Sequence, residues 1–167
     1  MTKSSYEQVL DFYKGFRQEE FIATRAGLDE NNISGERLDL KMKLIAEEFF
    51  ELVGAVYGGA AAKIMETAWS VAQQEDEENR DIVETADALG DLVYVIHGLQ
   101  IEAGIPADEV FNEIHNSNMS KLDANGAPII SDGVTPSEYD GLVKPAGKIL
   151  KSKNFFEPKI AEILGVE

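Results

Sequence analysis

The sequence predicts an all-α protein: a helical bundle of about five helices with an irregular C-terminal tail. Helix start and stop signals divide the chain as far as Asn118 into five segments. No segment shows a convincing alternation of apolar and polar residues, apart from a doubtful stretch at 128–130. We therefore expect one domain over residues 1–167, with a core of about 36–121 and a tail of 122–167.

The first helix is predicted from its start signal. Residues 4–7 read Ser-Ser-Tyr-Glu, the pattern of a capping box, in which a serine and a glutamate three positions later satisfy each other's backbone N–H groups. Apolar residues then recur at helical spacing at Val9, Phe12, Tyr13 and Phe16. An aromatic stripe at this spacing is more often core than a surface that stacks on a nucleobase.

The second and third helices are bounded by glycine. Residues 27–35 are rich in Gly, Asp and Asn and predict a loop. A helix over 36–57 follows, and Gly58 and Gly59 end it. A third helix is expected over 60–74, and the acidic run 75–78 is expected to be solvated.

Two further helices complete the predicted core. A long fourth helix is expected over about 79–103, where Gly104 and Pro106 stop it. Pro106 suits the first turn of a fifth helix that reaches about residue 118. After Lys121 the chain becomes rich in Gly, Pro, Ser and Asp, with a short helix starting near Pro158.

The composition excludes several classes of function. The chain has 31 Asp and Glu against 15 Lys and Arg, and its formal charge of -16 would repel a nucleic-acid backbone. It has no cysteine, which excludes disulfides, thiolate zinc sites and cysteine nucleophiles. Short apolar runs and the polar start MTKSSYEQ predict neither a membrane span nor a signal peptide, so we expect a cytoplasmic protein without a membrane partner.

The second helix carries three glutamates on one side. On a helical wheel Glu47, Glu48 and Glu51 fall within an arc of about 100°, which also holds Leu44 and Ala55. These acids therefore share or border a face that should pack. Uncompensated negative charge is costly there, so a positive partner is expected.

The fourth helix repeats this pattern. Glu84, Asp87 and Asp91 project within about 60° of one another, on a strip shared with Ala88 and Val95. If the two helices pack antiparallel, five or six carboxylates come together. Such a group is tolerable around hard divalent cations, and its oxygen ligands indicate Mg²⁺, with Mn²⁺ as an alternative.

The acidic residues of these two helices allow two other interpretations. The glutamates of the second helix could form a solvated face beside Lys41 and Lys43, as most charge clusters do. A ferritin-like di-iron bundle needs Glu-x-x-His, and neither His97 nor His115 has a glutamate three residues before it.

The acidic motifs resemble those of a known superfamily. Glu47-Glu48-x-x-Glu51, followed by an acidic helix containing Asp91-Leu92-Val93-Tyr94, is similar to the E-E-x-x-E…E-x-x-D signature of the all-α NTP pyrophosphohydrolases. This superfamily includes MazG, phosphoribosyl-ATP pyrophosphohydrolase and the dimeric dUTPases. Residues 104–106, 113–121 and 147–151 also resemble one MazG-like subgroup, so the likeness extends over about 40–158.

The resemblance implies a reaction and a set of residues. The reaction is Mg²⁺-dependent hydrolysis of a nucleoside triphosphate between the α and β phosphates, which serves house-cleaning of the nucleotide pool. Glu47 and Glu84 are then the predicted catalytic carboxylates, with Glu47 orienting or deprotonating the water. The predicted metal ligands are Glu48, Glu51, Asp87 and Asp91, and the predicted substrate contacts are Asn118, Lys121, Lys148 and Lys151.

The sequence departs from the superfamily signature at one position. Ala88 stands where the glutamate of E-x-x-D is usual, and Glu84-Thr85-Ala86-Asp87 supplies the same motif one turn earlier. Either Asp87 or Glu84 must replace the missing ligand. We favour Asp87, because it lies about 6 Å along the helix axis from Asp91, whereas Glu84 lies about 10 Å away. Glu84 would then orient the metal ligands without binding the ion itself, or bind a second ion.

The same resemblance implies a homodimer or a dimer of dimers, since a few helices with apolar residues on several sides do not close a core alone. The competing function is a non-catalytic acidic module that binds a metal or a basic protein. Such a module would lack phosphate-binding groups, so the segments 118–121 and 147–151 favour the enzyme.

Overall fold

The computed structural model describes residues 3–26 and 28–166 and is all-helical in this part of the chain. The helices are α1 (Ser5–Gly15), α2 (Gly35–Tyr57), α3 (Gly59–Ala72), α4 (Ile82–Ala103), α5 (Ala107–Met119) and α6 (Ile160–Leu164), with short 3₁₀ helices at Glu19–Phe21, Glu30–Ile33 and Gln73–Glu75. The predicted all-α class is confirmed. The doubtful strand at 128–130 is reduced to an isolated bridge between Ile130 and Ile149. Across the described residues, no helix has the length and apolarity of a membrane span.

The helix boundaries follow local capping chemistry. The predicted capping box of α1 is present, because the Ser4 backbone N–H donates to Glu7 Oε2 at 2.8 Å and the Glu7 N–H donates to Ser4 Oγ at 3.3 Å. Gly58 ends α2 as predicted, with φ at +95°, a conformation that favours glycine. The loop predicted from Gly27 starts outside the described residues, and part of it forms the Glu30–Ile33 turn.

Helix α4 begins later than predicted, at Ile82 rather than near residue 79. The Asp81 carboxylate accepts the backbone N–H groups of Val83 and Glu84, at 2.8 and 3.1 Å. It thus satisfies two donors that every helix start leaves free, and this fixes the first turn. Glu84 consequently lies in the first turn of α4, whereas a start near residue 79 would place it in the second turn.

The chain forms two compact units. In the unit Thr24–Gly90, α2 packs against α3, with Ala46 and Phe50 buried on α2. The two helices approach closely at Gly54, where an added Cβ would lie 3.4 Å from the Ala62 Cβ.

The other unit joins the chain up to Ala23 to the chain from Asp91 onward. Helix α1 packs on α5, and buried Gln8 donates from Nε2 to Asn112 Oδ1 at 2.8 Å. The Phe16 ring is buried and stacks on Phe12, with ring centroids 4.1 Å apart. The N-terminal aromatic stripe therefore contributes to the core of this unit.

Serine hydroxyls attach the tail to α5. Ser117 Oγ donates to the Phe156 carbonyl at 2.8 Å, and Ser152 Oγ donates to the Ser120 carbonyl at 2.9 Å. The Phe156 N–H donates in turn to Ser120 Oγ at 3.2 Å. Ser117 and Ser152 are both buried, so these bonds are shielded from water and hold an irregular segment without a strand or helix of its own.

We predict that Ser152→Ala destabilises the protein by about 1–2 kcal/mol, because the Ser120 carbonyl and the Asn154 N–H both lose a buried partner. Thermal unfolding and amide exchange over 152–159 measure the loss. The matched control is Ser70→Ala, which removes an exposed hydroxyl bonded to the Thr67 carbonyl and should change the melting temperature little. Equal shifts in the two variants would contradict a structural role for Ser152.

Candidate active site

The predicted acidic face of α2 borders the packed face of that helix. Ala46 and Phe50 are buried against the rest of the unit, whereas Glu47, Glu48 and Glu51 are exposed. The Lys43 ammonium lies 3.7 Å from Glu47 Oε1, and the two side chains remain 62% and 50% exposed. An ion pair this open contributes little. The glutamates are therefore accessible to a ligand or a metal.

A cleft of about 490 Å³ lies between α2 and α3. Its volume falls in the range of small-molecule sites. Predicted catalytic Glu47 and predicted metal ligand Glu51 are both on its wall, so the cleft adjoins the acidic face. The full lining is Lys43, Glu47, Phe50, Glu51, Gly54, Ala62, Glu66, Trp69 and Gln73.

The α3 side of this cleft carries no residue for which the sequence predicts a role. Ala62, Glu66, Trp69 and Gln73 follow one another at intervals of four, three and four residues, which places them on one side of a helix. The α2 wall repeats this spacing at Lys43, Glu47, Phe50 and Gly54. This shared periodicity was the signal available in the sequence. It became informative only when α2 and α3 were seen to pack together.

Trp69 has an unusual polar atom. Its indole Nε1 is buried and has no hydrogen-bond partner among the described residues. Buried donors are nearly always paired, so an unpaired one in a cleft wall requires an explanation.

The acids of α4 are exposed along one helix. Glu84, Asp87 and Asp91 all lie on the surface, with Glu84 in the first turn. The segment that precedes α4 is fixed by Arg80, whose guanidinium donates to both carboxylate oxygens of Asp76 at 2.8 and 2.7 Å. These hydrogen bonds, with one from the Glu78 N–H, lower the pKa of Asp76 to about 2.

The predicted metal ligands are not gathered in the described part of a single chain. No three His, Asp or Glu side chains among those residues form a group able to hold a metal ion. Five of the six predicted acids belong to the unit Thr24–Gly90, and Asp91 begins the other. Their chemistry does suit Mg²⁺, because every donor is a carboxylate oxygen and all are exposed. Their assignment as ligands stays a prediction.

The predicted substrate contacts all lie in the unit that carries α5 and the tail. Lys121 Nζ donates to Asn118 Oδ1 at 2.6 Å, so these two residues are in direct contact. The Lys148 side chain is exposed. Lys151 is already engaged, because its ammonium lies 2.7 Å from Glu157 Oε1 and 4.1 Å from the centroid of the Phe155 ring. A phosphate that binds Lys151 would have to compete with Glu157.

Comparison with solved structures shows one similar fold. A protein from Exiguobacterium sp. 255-15, provisionally assigned as an NTP pyrophosphohydrolase, matches with a TM-score of 0.59 and 20% sequence identity. The alignment covers 99% of this chain and 94% of that one. At this identity the likeness establishes the fold. None of the curated proteins compared with the chain matches it.

A protein-family model provides the assignment. The model described as phosphoribosyl-ATP pyrophosphohydrolase matches residues 15–118, which is more than half of the chain. The matched region contains all six predicted acids and Asn118, and it leaves Lys121, Lys148 and Lys151 outside. The superfamily resemblance seen in the sequence is thereby confirmed, and the chain belongs to the phosphoribosyl-ATP pyrophosphohydrolase family.

Proposed function

We propose that the protein is a Mg²⁺-dependent nucleoside triphosphate pyrophosphohydrolase that converts a nucleoside triphosphate and water into a nucleoside monophosphate and pyrophosphate. One observation carries the proposal. In a chain of the pyrophosphohydrolase family, Glu47 and Glu51 of the acidic motif line a cleft large enough for a nucleotide. Removal of noncanonical or surplus nucleotides from the pool is the biological role this activity would serve.

The residues divide the chemistry between them. Glu48, Glu51, Asp87 and Asp91 would hold Mg²⁺, which neutralises phosphate oxygens and increases the acidity of a bound water. Glu47 accepts a proton from the attacking water. The water oxygen adds to the α phosphorus, the bond from this phosphorus to the α–β bridging oxygen breaks, and pyrophosphate leaves. The Lys43 ammonium lies 3.7 Å from Glu47 Oε1 and places a positive charge beside this carboxylate.

The tail supplies cations for the polyphosphate. Lys121 and Asn118 form a bonded pair at the end of α5, and Lys148 is exposed in the tail. A lysine ammonium donates three hydrogen bonds to phosphate oxygens as a mobile point charge. Lys151 joins them when a phosphate replaces Glu157 as its partner.

A homodimer or a dimer of dimers completes the proposal. Helix α4 has no named helix packed extensively against it in the part of the chain that the structure describes. Its large apolar side chains are exposed: Leu89, Leu92, Val93, Tyr94, Val95, Ile96, Leu99 and Ile101. An apolar surface of this length is typical of an interface. A second copy of the chain offers the same apolar surface and would cover this one in a two-fold dimer.

We expect pyrophosphate, not orthophosphate, to be released from nucleoside triphosphates in the presence of Mg²⁺. Glu47→Gln should lower kcat by about 10²–10⁴, because the water loses its general base. Glu77→Gln, an equal charge change in the exposed acidic run, is the matched control and should leave kcat unchanged. A panel of ribo- and deoxyribonucleotides, with phosphoribosyl-ATP as a further arm, gives the measurement. Release from phosphoribosyl-ATP alone would refute the proposed substrate class.

We also expect added Mg²⁺ to raise the melting temperature, because the ion binds the carboxylates of the native state only. The shift should be lost in the double variant Glu48→Gln, Glu51→Gln, and in Asp87→Asn. It should persist in Glu84→Gln, which alters a group outside the primary ligands.

The control for this measurement is the double variant Glu75→Gln, Glu77→Gln, which removes the same charge from the acidic run and should keep the full shift. A shift that survives Asp87→Asn but disappears in Glu84→Gln would move the ligand to Glu84. No shift in the unaltered protein would refute the metal site.

For the assembly, we expect the 18.4 kDa chain to sediment at micromolar concentration as a dimer or tetramer. Leu99→Glu should shift it towards the monomer, because a charge in an apolar interface has no partner. Val134→Glu is the control, since Val134 is an exposed apolar residue that lies in the tail and not on α4. A folded, active monomer in the unaltered protein would rule out the dimer.

A further inference from the structure

The cleft between α2 and α3 has two chemically different walls. The α2 wall carries Lys43, Glu47 and Glu51, which belong to the phosphate and metal chemistry already proposed. The α3 wall carries Trp69, Glu66 and Gln73, for which the hydrolysis of a phosphoanhydride has no use. These side chains offer an aromatic plane, one N–H donor and polar groups suited to a flat heteroaromatic molecule.

The geometry of the helix pair places these walls in register. The chain reverses at Gly58, and Trp69 is eleven residues after it, whereas Glu47 is eleven residues before it. Because both helices rise by about 1.5 Å per residue, the indole comes level with Glu47. Glu66 likewise comes level with Phe50, whose buried ring forms the floor of the cleft.

From this arrangement we propose that the α2–α3 cleft is the nucleobase site, in which Trp69 donates its indole N–H to a carbonyl oxygen or ring nitrogen of the base. Glu66 accepts an amino or imino N–H of the same base. The proposal rests on the proposed function, to which it adds the part of the enzyme that recognises the nucleoside. It also explains the buried indole nitrogen, because every nucleobase carries an acceptor for it.

Trp69 is the single tryptophan of the chain, so its fluorescence reports on the cleft directly. With Mg²⁺ present, nucleoside monophosphates should quench or shift the emission in a saturable manner. Ribose 5-phosphate and pyrophosphate, which lack a base, should leave it unchanged. This binding measurement needs no turnover, so a failed activity assay leaves it interpretable.

Two variants give a second readout. Trp69→Phe keeps an aromatic ring and loses the N–H, so KM should rise by about 3- to 10-fold while kcat stays within about twofold. Trp69→Leu also loses the aromatic ring that lines the cleft and should raise KM further. Tyr57→Phe, which removes a polar atom from an aromatic side chain that is 78% exposed at the end of α2, is the matched control and should leave KM unchanged.

Several outcomes would overturn the inference. Equal responses to ribose 5-phosphate and to nucleoside monophosphates would assign the cleft to the sugar phosphate. Emission that depends on protein concentration and ignores nucleotides would show that a second copy of the chain covers Trp69. Normal pyrophosphate release with an unchanged KM in Trp69→Phe would refute the base site and leave the proposed function intact. Base-specific quenching without turnover would support the base site and refute the proposed function.

Discussion

The close packing of α2 against α3 is the constraint on which the candidate site depends. Gly58 reverses the chain with a backbone conformation that favours glycine, and Gly54 leaves room for Ala62. Side chains larger than alanine at Gly54 would push the helices apart, and the residues that line the cleft would then shift relative to one another. The small residues Gly54, Gly58 and Ala62 thus set how the acidic motif of α2 is positioned relative to Trp69 of α3.

Charge is the second organising factor. The net charge of -16 includes the exposed acids of α2 and α4, and on α2 these acids lie beside the buried residues Ala46 and Phe50. Exposed carboxylates this dense repel one another unless cations intervene. A divalent cation, as proposed above, would relieve this repulsion.

The tail shows how an irregular segment can have a definite position. Its β-type backbone pairing consists of isolated bridges. Its attachment to α5 rests on the buried hydroxyls of Ser117 and Ser152, each of which donates a hydrogen bond to a backbone carbonyl of the facing segment. These bonds lie between α5, which ends near Asn118 and Lys121, and the stretch that contains Lys151. The region outside the family match is therefore structurally joined to the region inside it.

The sequence by itself determined the helical class, most helix boundaries and the family, because caps, glycine stops and acidic motifs are local patterns whose physics acts within a few residues. It misplaced the start of α4, where the competing cap at Asp81 prevailed over helical propensity. The tertiary structure alone decided that Trp69 and the predicted catalytic Glu47 line one cleft, that Lys121 bonds Asn118 and that Glu157 engages Lys151. Such relations depend on which helix faces pack together and how loops return, and no local pattern encodes them.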